Sequence, residues 1–326
     1  MTAPLFARSP FNRPDLSIMR LDLGHVAGGS SNVIVSAIKD LVTFIQAARR
    51  SIIFVDSVND TSIAVAALRQ AGINASPFYR ARNEEEAVFL EGSRDAWSES
   101  GQALAVTSIA VQGLNDPRVD LVIDCRWGGN VQMAYQAMCR AARGGDRRGT
   151  VVHCTHPALL NSVSWFSKLT PGSGERAALL ASIRILGSTT ICTRAGLVLE
   201  LGDENVPSTC GDCSVCSEDC RPVSCAVHIE DATDEVFSLI YEIAQIDGSA
   251  NYDAVCMRGQ WRSDVDTSLA NAVVLFLLNI PAIHLGASLN TKTGLSYTSI
   301  HLDDVNSAPY TNRAKRTLIP VSRRLI

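Results

Sequence analysis

The sequence predicts an α/β protein: a parallel sheet with helices on both faces, followed by a mostly helical unit that carries a cysteine cluster. Three observations predict it. Short, continuous apolar runs alternate with helical stripes between residues 51 and 157, and strands buried on both faces read as such runs. The alternation stops at Pro157, where helical patterning takes over. Beyond it lies Cys210-Gly211-Asp212-Cys213-Ser214-Val215-Cys216, compact enough to bind a metal.

At 326 residues, with 46% hydrophobic and 19% charged content, the chain can bury more than one core and is not a disordered polymer. Its net charge of −4 gives no global basic field, so contact with nucleic acid must come from local patches. Such patches exist at Arg140, Arg143, Arg147 and Arg148, and in the tail at Arg313, Lys315, Arg316, Arg323 and Arg324. No apolar run reaches the roughly 18 residues of a membrane span, and the first residues lack a signal-peptide core. An intracellular protein with no membrane partner is expected.

Taken in order, Phe11-Asn12-Arg13-Pro14-Asp15-Leu16 reads as an extended, proline-containing stretch, and Ala27-Gly28-Gly29-Ser30-Ser31 as a loop. Residues 1–30 are therefore expected to form a linker. Val35, Ile38, Val42 and Ile45 make a helical stripe over residues 33–48. Residues 51–56 read as a strand, and the next helix, capped by Asn59 or Asp60, buries Ile63, Ala64, Ala67 and Leu68 before stopping at Gly72. A strand over 75–79, a helix over 83–98 with Ala87, Leu90 and Trp97 inward, and strands over 103–108 and 120–124 follow. The helix over 130–143 and a strand over 150–154 complete the lobe.

The 130–143 helix places Gln136, Arg140 and Arg143 together. Arginines three apart on a helix share a face and can converge on one multiply charged anion; a solvated basic helix end is the plainer alternative. Cys210, Cys213 and Cys216, with one more thiolate from a preceding helix, can close a tetrahedral shell around a structural zinc ion. Free or disulfide-forming thiols are the alternative reading. Cys220 or Cys225 could be the fourth ligand in place of Cys192, and His228 is an outside candidate. Cys125, Cys139, Cys154 and Cys256 read as small buried hydrophobes.

Several of these segments, in this order, resemble RecQ-type DNA helicases of superfamily 2. Residues 105–117, the strand over 120–124 and Gln136 to Gly145 are similar to motifs V and VI, Phe54-Val55-Asp56-Ser57 to motif IV, and Phe11 to Leu16 to the joint between the two motor lobes, with Asp15 in place of Asn. Cys192-Thr193-Arg194 and the Cys210 run are similar to the family's zinc unit, which favours Cys192 as the fourth ligand. The resemblance implies a second RecA-like lobe over 31–157, a helical zinc-binding domain over 158–225, and a winged helix, or failing that a helical bundle, over 226–326.

It also implies roles. Arg143 would be the arginine finger, Arg140 its phosphate-binding companion, and Gln136 the link to DNA. Gly113, Asn115 and Asp116 would approach the nucleotide sugar, while Ser57, Thr107 and Ser108 would contact phosphates of single-stranded or forked DNA. Zinc would be structural; ATP and Mg²⁺ would bind only with a first lobe, because this sequence contains no G-x-x-x-x-G-K-[ST] and no D-E-x-H. The expected state is thus the C-terminal portion of an ATP-dependent 3′–5′ helicase, lacking the first lobe and unable to hydrolyse ATP alone, with nuclear residence following from the family's role. A non-enzymatic, zinc-stabilised DNA-binding or interaction module is the alternative. Ala137, Cys139 and Ala142 stand where the family has Glu, Gly and Gly.

Overall fold

The computed structural model describes residues 11–107, 114–126, 130–145, 147–156, 159, 174–187, 191–203, 208–220, 225–232, 234–236, 238–240, 249–251, 269–270, 272–273, 277, 283–289, 296–302 and 318–324. Six strands form one all-parallel sheet: β1 (Leu16–Asp22), β2 (Arg50–Val55), β3 (Ala75–Phe78), β4 (Ala103–Thr107), β5 (Val119–Asp124) and β6 (Gly149–Thr155), in the spatial order β1-β6-β5-β2-β4-β3. All six residues of β2 are buried, as the continuous apolar run requires of a central strand covered on both faces.

The first strand corrects the linker expectation. Leu16 to Asp22 pairs residue for residue with Gly149 to Thr155, so the sheet begins inside the segment assigned to a joint. The signal was there: Leu16, Ile18 and Leu21 are almost fully buried, but the interleaved Ser17 and Arg20 broke the apolar run. Gly149 permits this pairing to sit close to the neighbouring turn, since a Cβ there would lie 2.9 Å from both Ala141 Cβ and Leu16 Cδ2.

Between the strands lie α1 (Ser30–Asp40), α2 (Val42–Ala47), α3 (Val58–Gln70), α4 (Glu84–Ser100) and α5 (Val131–Met138). The expected helix over 33–48 is thus two helices, broken at Leu41. Ser57, rather than Asn59 or Asp60, caps α3: its hydroxyl accepts from Asp60 N at 3.0 Å and donates to Asp60 Oδ2 at 2.8 Å. In α4, Leu90 and Trp97 are buried as expected, but Ala87 faces solvent.

The carboxyl end of α4 is closed by arginine, not by a capping glycine motif. Arg50 donates to the carbonyls of Trp97, Gly101, Ser98 (2.9 Å) and Glu99 (3.2 Å), and its guanidinium lies 5.5 Å from the Trp97 ring centre. A cation at a helix C-terminus meets both the orphan carbonyls and the negative end of the dipole.

After the sheet come α6 (Gly174–Gly187) and α7 (Thr193–Glu200). The last third contains strands as well as helix. β7 (Cys225–Asp231) pairs antiparallel with β11 (Leu318–Arg324), and β10 (Ser296–Leu302) pairs antiparallel with β8 (Ser249–Asn251) and β9 (Ile283–Leu289). Asp231 ends β7, and helical residues are described at 234–236 and 238–240. Residues 269–270, 272–273 and 277 are also helical. Among the described residues no helix is long and apolar enough to cross a membrane.

Candidate functional site

The arginines sit on a turn, not on a helix. α5 ends at Met138, and residues 139–145 leave it as a turn in which Ala142 has φ of 56°, the one non-glycine residue with positive φ among those described. This corrects the expectation of a helix through Arg143: a left-handed residue stops the helical ladder. The turn still brings the two arginines onto one neighbour. Arg140 donates Nη1 to Leu114 O at 2.9 Å, and Arg143 donates Nη1 to Asn115 Oδ1 at 3.2 Å and Nε to Cys139 O at 2.7 Å. Gln136 is exposed on α5.

Burial first, and then the charge of Arg143, lowers the Arg140 pKa, so the two cations feel each other. Arg140 Nε is buried with no hydrogen-bond partner. A buried, unsatisfied donor beside a second arginine is an arrangement that an anion would complete.

The turn is tied to the first described residues. Tyr135 donates its hydroxyl to Phe11 O at 2.7 Å, and the two rings meet edge to face at 5.6 Å. Arg13 donates to Ala141 O at 3.1 Å and pairs with Asp15 at 2.6 Å, a contact that holds the Asp15 carboxyl below its ordinary range. Residues 11–15 are thus strapped across the arginine turn.

The other expected contact residues are placed as follows. Thr107 ends β4 half-buried, and Ser57 ends the β2 crossover with its hydroxyl committed to the α3 cap. Asn115 is exposed beside Arg143. Asp116 is nearly buried, and both its oxygens accept from Arg118, at 2.9 and 2.6 Å, with Arg50 3.9 Å away. Burial alone would raise its pKa, but the Arg118 hydrogen bonds outweigh that and the net shift is downward. Gly113 and Ser108 lie outside the described residues.

Sequence reading missed a charged group at the carboxyl edge of the sheet. Asp124 and Arg126 form a buried two-point pair at 2.8 and 2.9 Å, with the guanidinium 4.2 Å from the Phe54 ring centre. His153, on the neighbouring strand, is buried and held neutral by burial. An acid and an arginine two residues apart after an apolar run were the only signal.

The cysteine cluster forms as expected. The sulfurs of Cys192, Cys210, Cys213 and Cys216 all lie within 4.8 Å of one another. A tetrahedral tetrathiolate with metal–sulfur bonds of about 2.3 Å needs sulfur separations of about 3.8 Å, so the four fit one ion with small adjustment. Ala195 N points to Cys192 Sγ at 3.5 Å and Asp212 N to Cys210 Sγ at 3.4 Å, the N–H support that thiolate ligands require. The Cys192 contact first, opposed by burial and supported by the N–H groups of Cys216, Val215 and Thr193, holds the Cys213 thiol well below its ordinary range. Cys220 is buried outside this group.

The cluster is seated on the sheet. Ile18 N donates to Asp212 O and Ser214 N to Ile18 O, both at 2.9 Å, so the cysteine knuckle covers the open edge of β1. Arg194, two residues after Cys192 and almost fully buried, donates to Arg13 O at 2.6 Å and to Leu16 O.

Residues 34–145 match the helicase conserved C-terminal domain. This segment, about a third of the chain, is similar to that domain. Four of the six parallel strands, β2 to β5, lie within it, and the whole sheet has the RecA-like α/β fold of such domains. Among solved structures, similar chains include a Saccharomyces cerevisiae Dbp5 variant bound to Gle1 and IP6 (16% identity, 44% of this chain and 36% of that chain, TM-score 0.36). Others are the Escherichia coli DEAD-box protein SrmB bound to RraA (22% identity, 43% and 76%, TM-score 0.32) and the yeast splicing factor Prp28 (17% identity, 45% and 30%, TM-score 0.38). The helicase domain and its flanks thus span little more than a third of the Dbp5 chain. No curated protein sequence matches the chain.

Proposed function

We propose that the chain serves as the second motor lobe and zinc unit of a RecQ-like, ATP-dependent 3′–5′ DNA helicase, acting on single-stranded or forked DNA in the nucleus. The phosphate cradle and the carboxylates for Mg²⁺ would come from a first RecA-like lobe. Arg143 and Arg140 would meet the γ-phosphate from across the lobe interface, where an arginine finger stabilises developing charge without holding the nucleotide itself. Gln136 would couple that site to DNA. Gly113, Asn115 and Asp116 would line the sugar, and Ser57, Thr107 and Ser108 would track the phosphates. Zinc on the four cysteines would be structural, and the C-terminal third would be a winged helix.

The observation that carries this reading is the continuity between the cysteine cluster, the joint and the arginine turn: Cys192 leads to Arg194, Arg194 holds the backbone of Arg13 and Leu16, and Arg13 holds Ala141 O. The resemblance to RecQ enzymes includes those same three segments. The commitment of Asp116 to Arg118 and of Ser57 to its cap supports a second reading, a non-enzymatic zinc-stabilised DNA-binding module.

One experiment separates them. The chain is mixed with a separately produced RecQ-type first lobe, and ATP hydrolysis is followed with and without single-stranded DNA, using RNA of equal length as control. DNA-stimulated hydrolysis that Arg143→Ala abolishes is expected from a motor lobe. DNA binding without hydrolysis favours the module, and no binding at low salt removes both roles.

A further inference from the structure

Ala142, the alanine whose left-handed backbone stops the helical ladder, follows a peptide group that is held at both ends. The N–H of the Ala141–Ala142 peptide donates to Val119 O at 2.9 Å, and its carbonyl, Ala141 O, accepts from Arg13 Nη2 at 3.1 Å. A φ of 56° is disfavoured for a residue with a Cβ, and rotating the preceding peptide is the direct way to relieve it. Such a rotation must break both bonds. Val119 is anchored in β5, so the bond to Arg13 is the one that a side chain controls.

Arg13 is itself fixed from two sides. Asp15 accepts from its Nε at 2.8 Å and from its Nη2 at 2.6 Å, a two-point pair that sets the plane of the guanidinium. The Arg13 carbonyl accepts from Arg194 Nη1 at 2.6 Å and from Leu16 N at 3.2 Å, while Asp15 O accepts from Gly149 N at 2.9 Å. The clamped peptide lies between Arg140, bonded to Leu114 O, and Arg143, bonded to Asn115. A flip there would leave Arg140 in place and redirect the chain that leads into Arg143.

We infer that Arg13 is a positioning residue: by holding Ala141 O it selects the left-handed turn at Ala142 and thereby sets Arg143 relative to Arg140. The clamp belongs to this chain alone, whereas its consequence for ATP hydrolysis rests on the motor reading.

The test is residue-resolved amide exchange in the full chain, comparing the unsubstituted protein with Arg13→Gln and with Arg148→Gln, a control that removes the nearby ion pair to Asp212. Arg13→Gln should speed exchange at Ala142 by about tenfold, the scale of one hydrogen bond to a charged group, and leave the amides of β2 unchanged. Asp15→Asn, which loosens the guanidinium but keeps it, should act in the same direction by a smaller factor. The inference is overturned if Ala142 exchanges at the same rate in Arg13→Gln, if the β2 amides accelerate by the same factor, or if Arg148→Gln has an equal effect. The second readout is ATP hydrolysis with an added first lobe. There Arg13→Gln should lower kcat by about tenfold and leave KM for ATP unchanged, since an arginine finger acts in the transition state. An unchanged kcat overturns the positioning of Arg143. If the unsubstituted chain with that lobe hydrolyses no ATP, the motor reading fails, and amide exchange at Ala142 still decides the clamp.

Discussion

Ala142 shows how a single backbone angle can decide a helix end. Its φ of 56° costs a residue with a Cβ about 1–2 kcal/mol, while its buried methyl returns about 0.8 kcal/mol. These nearly cancel, so Ala142→Gly should shift unfolding free energy by less than about 1 kcal/mol, whereas Ala142→Val, β-branched and crowded against Gly149, should cost about 2–3 kcal/mol in urea titrations. The glycine usual here in RecQ enzymes is thus replaceable by alanine and by little else. Cys139, with φ of −66°, needs no glycine at all.

His156 gives the residue scale a second, pH-dependent outcome. Burial, opposed only in part by its contact with Val26 O at 3.0 Å, holds its pKa down to about 4. The folded value lies below the unfolded one of about 6.5, so the stability it contributes is complete above that pH and is lost as pH falls towards 4. Urea midpoints at pH 7, 5.5 and 4.5 should decline across that window, and the decline should flatten in His156→Gln. His153, also shifted down by burial, adds to the same slope.

At the scale of elements, Ser57 is both cap and proposed DNA contact, and the two roles separate experimentally. Ser57→Ala should cost about 1 kcal/mol of stability from the lost α3 cap. Ser57→Asp, which can cap as well, should restore stability yet weaken single-stranded DNA binding if the hydroxyl faces phosphate; equal DNA affinity in all three chains would leave the residue as cap only. Much of the lobe was legible because its central strands are apolar throughout and its helices carry capping residues, as at Asn83 and Asn130. β1 was not, because an edge strand half covered by the cysteine loop alternates polar and apolar residues and imitates a linker. The end of α5 was not, because the left-handed angle falls on alanine, which gives no warning in sequence. The Cys210, Cys213 and Cys216 run was legible from spacing and Cys192 only from the resemblance, whereas the Arg50 closure of α4 depends on residues about fifty positions apart that no local pattern connects.

For the whole molecule, the cysteine knuckle ties residues 208–220 and α7 to the first strand of the sheet. If the four thiolates hold zinc as proposed, the purified chain should contain one equivalent, released in a chromogenic chelator assay after thiol oxidation. Cys213→Ser should then lower the melting midpoint of the entire lobe and not merely of residues 192–220, because Asp212 and Ser214 are hydrogen-bonded to Ile18. A midpoint change confined to the cysteine segment, with the sheet melting as before, would uncouple the two.

The same knuckle fixes an order of events during synthesis. β1 emerges before either neighbour: its partner β6 lies more than a hundred residues downstream and the loop that covers its other edge roughly 200 residues downstream. At translation rates of about 5–20 residues per second, its outer edge waits on the order of ten to forty seconds for that cover. During this interval a strand with one apolar face and open backbone groups is a template for the wrong neighbour, so the yield of folded chain should depend on how quickly residues 210–216 arrive and close.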